Sequence, residues 1–259
     1  MKFSFMSFST PELTLEEMLS IAEDLGYQGI EPRIDAGHSH GVETDTGESD
    51  REQIRGIVEN TGVELACVAT SCRFADPQER DRMIERAHQA IDLTGDFGAA
   101  RMRVFGGRFP ERMSRGEAVE GLSSALRGIA DHAGERGISV CVETHDAADV
   151  LQRVSHAAIG ANWDIMHPVR TGDATIEESF WTLRPWIRHL HVHDGVSPGG
   201  GLKLTPIGEG HVDHRRVIEL LDTIDYEGFL SGEWIGWEPY EDHLPREIAT
   251  LKKYVAQVP

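Results

Sequence analysis

The sequence predicts an α/β fold, a single (β/α)8 barrel, in one domain that spans residues 1–259. Short apolar runs alternate with amphipathic segments eight times along the chain, which is typical of parallel strands joined by right-handed helical crossovers. A length of 259 residues suits one such TIM barrel, and no linker-like stretch divides the chain. An open doubly wound sheet is the alternative, but it needs fewer strand–helix units or a second domain.

The eight predicted strands are short apolar runs that end at glycine, proline or polar residues. They span residues 2–8, 29–32, 63–69, 99–105, 138–143, 159–164, 187–194 and 228–234. Residues 35–50 are rich in acidic side chains and glycine, and we predict a loop there.

The predicted helices lie between these strands. Thr14 with Glu17 and Ser114 with Glu117 have the spacing of a capping box, which marks a helix start. The predicted helices span residues 14–25, 49–60, 76–94, 114–136, 146–154, 176–183, 213–224 and 244–258. In the last of these, apolar residues recur at helical spacing, which predicts one face packed against the barrel.

Composition excludes several classes of protein. The net charge of −19 argues against general nucleic-acid binding, which needs basic surface to replace the counterions of phosphates. No apolar run approaches the length of a membrane span or follows the pattern of a signal peptide, so we expect a cytoplasmic protein without a membrane partner. Three cysteines lack metal-finger spacing, and Cys67 and Cys141 lie in apolar runs, which predicts core positions. Homo-oligomerisation is left open.

The seventh predicted strand carries the clearest chemical signal, the stretch I-R-H-L-H-V-H-D at 187–194. His189, His191 and His193 are two residues apart, so in a strand they share one face. Imidazole is the commonest metal-binding side chain and titrates near neutral pH. Two plainer interpretations are kept: His189 as a core residue, and His193 as a residue facing solvent at the strand end.

Four consecutive strands end in residues of metal-ligand type: Glu143, Asp164, His191 and Glu233. The carboxyl ends of barrel strands meet at one face, where active sites lie. A single glutamate at a strand end is usually solvated or paired, so the prediction rests on the whole set. Three carboxylates and one imidazole suit Mn²⁺, Mg²⁺ or Co²⁺, and they are compatible with Zn²⁺. We therefore predict one divalent metal ion as the cofactor.

Several short motifs resemble the xylose isomerase-like TIM-barrel superfamily, in its sugar isomerase and epimerase branch. They lie at residues 25–31, 142–145, 162–167, 189–194, 207–213 and 232–234, in an order specific for that superfamily. The branch includes inosose dehydratases, ketose 3-epimerases and hydroxypyruvate isomerase. The resemblance implies that the four strand-end residues named above bind the metal ion. It also implies substrate contacts from His145 and His167, and a place for Glu31 near the site.

One position departs from the pattern of the family. His193 stands where many relatives carry lysine, in H-x-H-x-K-D. A substrate contact that depends on that lysine is therefore in doubt for this chain. Lys203, in the following loop, is the candidate to replace it, and His193 itself is a candidate substrate contact.

The resemblance and the ligand set together imply a metal-dependent isomerase or epimerase of a sugar or inosose, a small-molecule carbohydrate. The metal ion polarises the carbonyl and stabilises an enediolate, while Glu143 and Glu233 move the proton as an acid/base pair. Return of the proton to the same carbon is epimerisation, and return to the neighbouring carbon is isomerisation. Loss of a β-hydroxide would instead make the enzyme a dehydratase of an inosose or a related polyol ketone.

Two other classes of protein compete with this interpretation. An apurinic endonuclease of the same superfamily uses three zinc ions and extra histidines, but the third and fourth predicted strands end in A-T-S-C and V-F-G-G. A non-catalytic sugar-binding barrel would keep the pocket and lose the metal ion, and the retention of four ligand-type residues argues against it.

Overall fold

A computed structural model of the chain describes residues 1–111, 113–143, 147–197 and 201–258. The strands are β1 (Lys2–Met6), β2 (Gly29–Glu31), β3 (Glu64–Leu65), β4 (Val68–Arg73), β5 (Arg101–Phe105), β6 (Ser139–Glu143), β7 (Ile159–Asp164), β8 (Ile187–Val192), β9 (Asp194–Val196), β10 (Lys203–Thr205) and β11 (Phe229–Gly232). Within these ranges, all but β9 and β10 form one parallel sheet in the order β3-β2-β1-β11-β8-β7-β6-β5-β4.

The two ends of this sheet meet. β3 and β4 are the two halves of the predicted third strand, separated by a short break. Arg33, just after β2, forms a parallel bridge with Ala69 on β4, and the Ala69 N–H donates to the Pro32 carbonyl over 2.9 Å. The sheet therefore closes, and the predicted (β/α)8 barrel is confirmed.

Helices surround the barrel. They are α1 (Leu15–Leu25), α2 (Glu48–Glu59), α3 (Arg80–Asp96), α4 (Arg115–Glu135), α5 (Ala147–Val154), α6 (Met166–Thr171), α7 (Ile176–Leu183), α8 (His214–Asp222) and α9 (Tyr240–Val255). In α4 the buried residues include Leu122, Leu126 and Ile129, whose spacing places them on the side that faces the sheet. Both predicted capping boxes, at Thr14 and Ser114, are present.

Some local features differ from the sequence-based prediction. A short antiparallel hairpin, β9–β10, follows β8, and the short helix α6 follows β7; neither was predicted. Three-residue strands and a six-residue helix are too short for apolar periodicity to reveal them. In the predicted loop at 35–50, Val42 is buried, so the loop packs onto the barrel.

The core fills the space between the sheet and the helices. Cys67 and Cys141 are fully buried, as predicted, but Cys67 lies inside the barrel beside Glu31 and His189, and all three cysteines are free thiols. Among the helices described, none combines the length and the apolar character needed to span a membrane.

Candidate active site

The strand registers bring the predicted ligands to one level at the carboxyl end of the barrel. Asp164 on β7 pairs with His191 on β8, and His191 pairs with Ser231 on β11. Glu143 is the last residue of β6, and Glu233 directly follows β11. Because all these strands are parallel, their ends converge on one mouth. The structure therefore places all four predicted ligands at the same end of the barrel.

His191 lies between two of the carboxylates. Its Nδ1 is 3.2 Å from Glu143 Oε2 and 3.4 Å from Glu233 Oε2. The imidazole is fully buried, and the two glutamate side chains are 13% and 10% exposed. These three predicted site residues are thus in direct contact, at the bottom of the mouth.

Glu143, His191 and Glu233 form one part of a cluster of site residues. A second part contains Asp164, the fourth predicted ligand. Asp164, His193 and Glu233 each offer one donor atom, and these three atoms lie within 4.8 Å of one another. His193 Nε2 is 3.6 Å from Asp164 Oδ1. His193 is only 6% exposed, so it does not face solvent at the strand end. Glu233 belongs to both parts of the cluster and joins them.

Glu31 lies beneath this cluster, inside the barrel. Its Oε2 is 2.7 Å from His189 Nε2, and its Oε1 is 3.1 Å from His191 Nε2. The Ser231 hydroxyl donates to Oε2 over 2.6 Å. Burial raises the pKa of Glu31, but His189 and His191 outweigh it and hold the pKa well below its usual value. Glu31 is fully buried, so the structure places it below the ligands and away from the cavity.

The surroundings of the other carboxylates shift their pKa values in different directions. Burial raises the pKa of Glu143, but Arg103 and His191 outweigh it and bring the pKa to about 2. Burial opposes ionisation of Glu233 as well, yet His191 leaves its pKa below the usual value. For Asp164 burial prevails, and its pKa is raised. Glu143 and Glu233 are therefore ionised at neutral pH.

The donor set fits a divalent cation. Burial lowers the pKa of His191, but the charges of Glu31 and Glu233 outweigh it and raise the pKa well above its usual value. The protonated imidazole thus supplies positive charge where carboxylates crowd together. A divalent ion would supply such charge at the same place, and carboxylate oxygens with imidazole nitrogens are donors that Mn²⁺, Co²⁺ and Zn²⁺ accept.

Two functional side chains were missed by sequence reasoning. Arg103 on β5 is 1% exposed, and its Nε lies 3.3 Å from Glu143 Oε2. Asn162 Nδ2 donates to Glu143 Oε2 over 2.9 Å and lies 3.1 Å from His191 Nδ1. A signal was available for both, because each is a polar residue inside an apolar strand, and Asn162 is two residues before Asp164 and shares its face.

A cavity of about 330 Å³ opens above the cluster. Its polar lining is Glu143, Asp164, His167, Arg170, His193 and Glu233, and its apolar lining is Phe105, Met166, Leu202, Leu204 and Ile235. A neighbouring cavity of about 440 Å³ also borders Glu143 and Asp164, but helices α5, α6 and α7 wall it and neither His193 nor Glu233 lines it. The smaller cavity is therefore the one that borders all three carboxylates, Glu143, Asp164 and Glu233.

The remaining predicted substrate contacts differ in whether they line the cavity. His167 lines the cavity, and its backbone N–H donates to Asp164 Oδ1 over 3.3 Å. Lys203 is exposed on β10 next to Leu204, and neighbouring residues of a strand point to opposite faces. Because Leu204 lines the cavity, the Lys203 side chain lies on the other face of the hairpin. His145 lies outside the described residues.

The side chain of Asp194 links two of the sequence motifs, at residues 189–194 and 207–213. Its carboxylate accepts hydrogen bonds from the backbone N–H groups of Gly195, Gly208, Gly210 and Val212, over 2.8 to 3.2 Å. A Cβ atom at Gly210 would overlap this carboxylate, so glycine is required there. The buried aspartate thereby ties the loop of residues 207–213 to the end of β8, beside the site.

The fold and this cluster define an α/β barrel with a carboxylate–histidine site at its carboxyl-end mouth. The family model described as "Xylose isomerase-like TIM barrel" matches residues 19–254. The chain belongs to this family, and the resemblance inferred from the motifs is confirmed.

Three similar proteins extend this comparison. The chain is 22% identical to a 3-dehydroshikimate dehydratase of Bacillus anthracis over 277 residues, covering 97% of this chain and 96% of the relative. A structure of L-ribulose 3-epimerase matches with a TM-score of 0.79 at 16% identity, covering 98% of this chain and 94% of that one. A crystal structure of IOLI protein with a binding zinc atom matches with a TM-score of 0.81 at 18% identity, covering 99% and 97%.

Two of these relatives bear enzyme names, and the names, a dehydratase and an epimerase, belong to different reaction classes. At such identities the two solved structures show a shared fold and no shared substrate. The family and its members therefore support an enzyme of the sugar isomerase, epimerase or dehydratase kind, without deciding among the three.

Proposed function

We propose that this protein is a divalent-metal-dependent isomerase or epimerase that moves a proton beside the carbonyl of a small sugar or inosose. The observation that carries this proposal is the position of Glu143 and Glu233. Both carboxylates are mostly buried, both lie within 3.4 Å of His191 Nδ1, and both line the same cavity. Two carboxylates at one cavity floor can serve as the separate acceptor and donor of a proton transfer, the acceptor ionised and the donor carrying a proton.

The metal-binding residues of the proposed site are Glu143, Asp164, His191 and Glu233. The bound ion, for which Mn²⁺, Mg²⁺, Co²⁺ and Zn²⁺ are the candidates, would polarise the substrate carbonyl as a Lewis acid. The buried contacts of His191 support its role, because Glu31 occupies its Nε2 and leaves Nδ1 facing the carboxylates.

Glu143 and Glu233 carry out the proton transfer. One ionised carboxylate removes the proton from the carbon next to the carbonyl, and the other, after it has taken up a proton from solvent, supplies that proton to the product. Arg103 and Asn162 contact Glu143 and keep its carboxylate ionised and oriented. The face of the substrate that carries the proton then decides which of the two glutamates acts first.

Side chains on the cavity wall would bind the substrate hydroxyl groups. His167 and His193 line the cavity beside Asp164 and offer ring nitrogens, and Arg170 offers a guanidinium group. His145 stays a proposed contact on the basis of the family motif alone. We do not retain Lys203, because the hairpin turns its side chain away from the cavity.

Dehydration is the second candidate reaction, and one observation favours it. The dehydratase relative aligns with 97% of this chain. Removal of the same proton followed by loss of a β-hydroxide would need a proton donor for the leaving group, and His167 on the cavity wall has the required chemistry.

A proton-exchange assay tests the proposed function. The protein, loaded with Mn²⁺ or Zn²⁺, is incubated in D₂O with ketoses, inososes and 3-dehydroshikimate. Proton NMR reports loss of the α-proton signal, whichever product forms, and ultraviolet absorbance reports dehydration. The expected result is exchange with at least one compound, abolished by a chelator. Metal-loaded protein that exchanges no proton in the whole panel would contradict the proposal, and protein that binds no divalent ion would favour a non-catalytic sugar-binding barrel.

A further inference from the structure

His193 occupies the position of a ligand within the cluster. Its Nε2 is 3.6 Å from Asp164 Oδ1, and it forms with Asp164 and Glu233 a group of donor atoms within 4.8 Å of one another. Donor atoms that share one ion at bond lengths of about 2.0–2.2 Å lie roughly 3 Å apart. The observed separation therefore requires only a small adjustment of the side chains.

The hydrogen bond of the other ring nitrogen sets the orientation of the imidazole. His193 Nδ1 lies 3.1 Å from the backbone carbonyl oxygen of Glu233. A carbonyl oxygen only accepts, so Nδ1 carries the hydrogen atom. In the neutral ring Nε2 then presents its lone pair to the Asp164 carboxylate. Metal-bound histidines in proteins commonly donate their second ring N–H to a carbonyl or carboxylate in this way.

Two electron-rich groups face each other in this arrangement. The Nε2 lone pair and the Asp164 oxygen repel one another unless a proton or a metal ion lies between them, and the two side chains are only 7% and 11% exposed. What lies between them is either a proton, held by one of the two groups, or a metal ion shared by both. Glu233 favours the metal ion, because it offers a third donor atom within 4.8 Å of the donor atoms of Asp164 and His193, and its carboxylate also contacts His191.

We propose that His193 is a further metal ligand of this site, bound through Nε2. This inference rests on the metal centre of the proposed function and adds a second imidazole to its donor set, in place of the substrate contact proposed for His193 above. Imidazole nitrogen favours Zn²⁺ and Co²⁺, whereas Mg²⁺ prefers oxygen donors. His193 therefore shifts the preference of the site towards Zn²⁺ and Co²⁺.

Metal binding by two substituted proteins tests the inference. His193→Lys places a positive charge beside Asp164 but cannot coordinate while protonated, and His193→Gln removes the imidazole without adding charge. His167→Gln is the matched control, because His167 lines the same cavity and is not a proposed ligand. Each metal-free protein is titrated with Zn²⁺, Co²⁺ and Mg²⁺ by calorimetry, and visible absorption of the Co²⁺ form reports the ligand set.

The expected result is a loss of Zn²⁺ and Co²⁺ affinity of about 10-fold or more in both His193 variants, with a changed Co²⁺ spectrum. Mg²⁺ affinity should change much less, and the control should keep the affinities of the unsubstituted protein. Equal Zn²⁺ affinity and an unchanged Co²⁺ spectrum in His193→Lys would overturn the inference and identify a simple ion pair. An unsubstituted protein that binds none of the three ions would instead refute the proposed function itself.

Folding of the variants is checked by circular dichroism. If neither variant folds, nitrogen NMR of the unsubstituted protein decides the question. A large shift of the His193 Nε2 resonance on addition of Zn²⁺ supports coordination, and an unchanged resonance in the Zn²⁺-loaded protein overturns it.

Discussion

Glu31 Oε1 lies 3.1 Å from His191 Nε2, and this contact directs the opposite ring nitrogen of His191 towards Glu143 and Glu233. The carboxylate receives two further hydrogen-bond donors, from His189 and Ser231, and is fully buried. These three contacts fix the position of the Glu31 carboxylate, which in turn holds the His191 imidazole in one orientation.

This arrangement predicts the effect of Glu31→Gln on metal binding. The amide keeps the size of the side chain but loses the charge that orients His191, so we expect metal affinity to fall by about 10- to 100-fold. Calorimetric titration with Zn²⁺ measures the change. Ser231→Ala is the control, because it removes one hydrogen bond to the same carboxylate and leaves the contact with His191. Equal affinity in Glu31→Gln and the control would show that the contact has no orienting role.

Replacing Glu143 or Glu233 by Gln should lower turnover far more than metal affinity. Gln retains an oxygen ligand but cannot accept the transferred proton, so we expect a loss on the order of 100-fold or more. The readout is the rate of α-proton exchange with the substrate found in the D₂O assay, at saturating metal. Glu135→Gln, at an exposed position at the end of α4, is the control. Full activity of both site variants with metal bound would contradict the two-carboxylate mechanism.

We expect substitutions of apolar side chains at the rim of the cavity to weaken substrate binding. Leu202 and Ile235 are 39% and 54% exposed, although both are large apolar side chains, and both line the cavity. We expect Leu202→Ser with Ile235→Ser to raise KM several-fold, with little change in kcat, because exposed apolar groups at a pocket mouth commonly contact ligands. Trp181→Ser is the control, since Trp181 is 51% exposed and does not line this cavity. A KM that stays constant in the double variant would show that the rim makes no contact.

We expect His40 to contribute to the loss of folding stability at acid pH. Burial, helped by His38, lowers the pKa of His40 to about 4. The Val42 N–H donates to Nδ1 over 3.0 Å, so protonation at Nδ1 would break a buried hydrogen bond. The unfolded chain binds this proton near pH 6.5. The stability contributed by neutral His40 is therefore complete above about pH 6.5 and is lost as the pH falls towards 4.

Urea unfolding between pH 7 and pH 4 measures this contribution. The free energy of unfolding of His40→Gln should fall less steeply with acidity, by a total difference on the order of 1–3 kcal/mol. His211→Gln, at an exposed position, should retain the slope of the unsubstituted protein. Parallel slopes for His40→Gln and the unsubstituted protein would show that His40 titrates alike in the folded and unfolded states.

Local sequence signals were reliable where neighbours along the chain determine the structure. The capping boxes at Thr14 and Ser114 and the apolar spacing of α9 depend on residues three or four positions apart, and all are present. The ligand-type residues at the strand ends could also be identified, because strand order in a barrel brings those ends to one face.

The sequence by itself determined the alternation of strands and helices, and hence the barrel and the end at which its site lies. Only the tertiary structure decided that Glu31 lies beneath the cluster and that His193 faces Asp164. It also decided that Arg103 contacts Glu143. The reason is physical: each of these contacts joins different strands, and strand register and side-chain rotamers set the distances. Strand register and rotamers depend on the packing of the whole barrel, and this packing produces no periodic pattern in the sequence of any one segment.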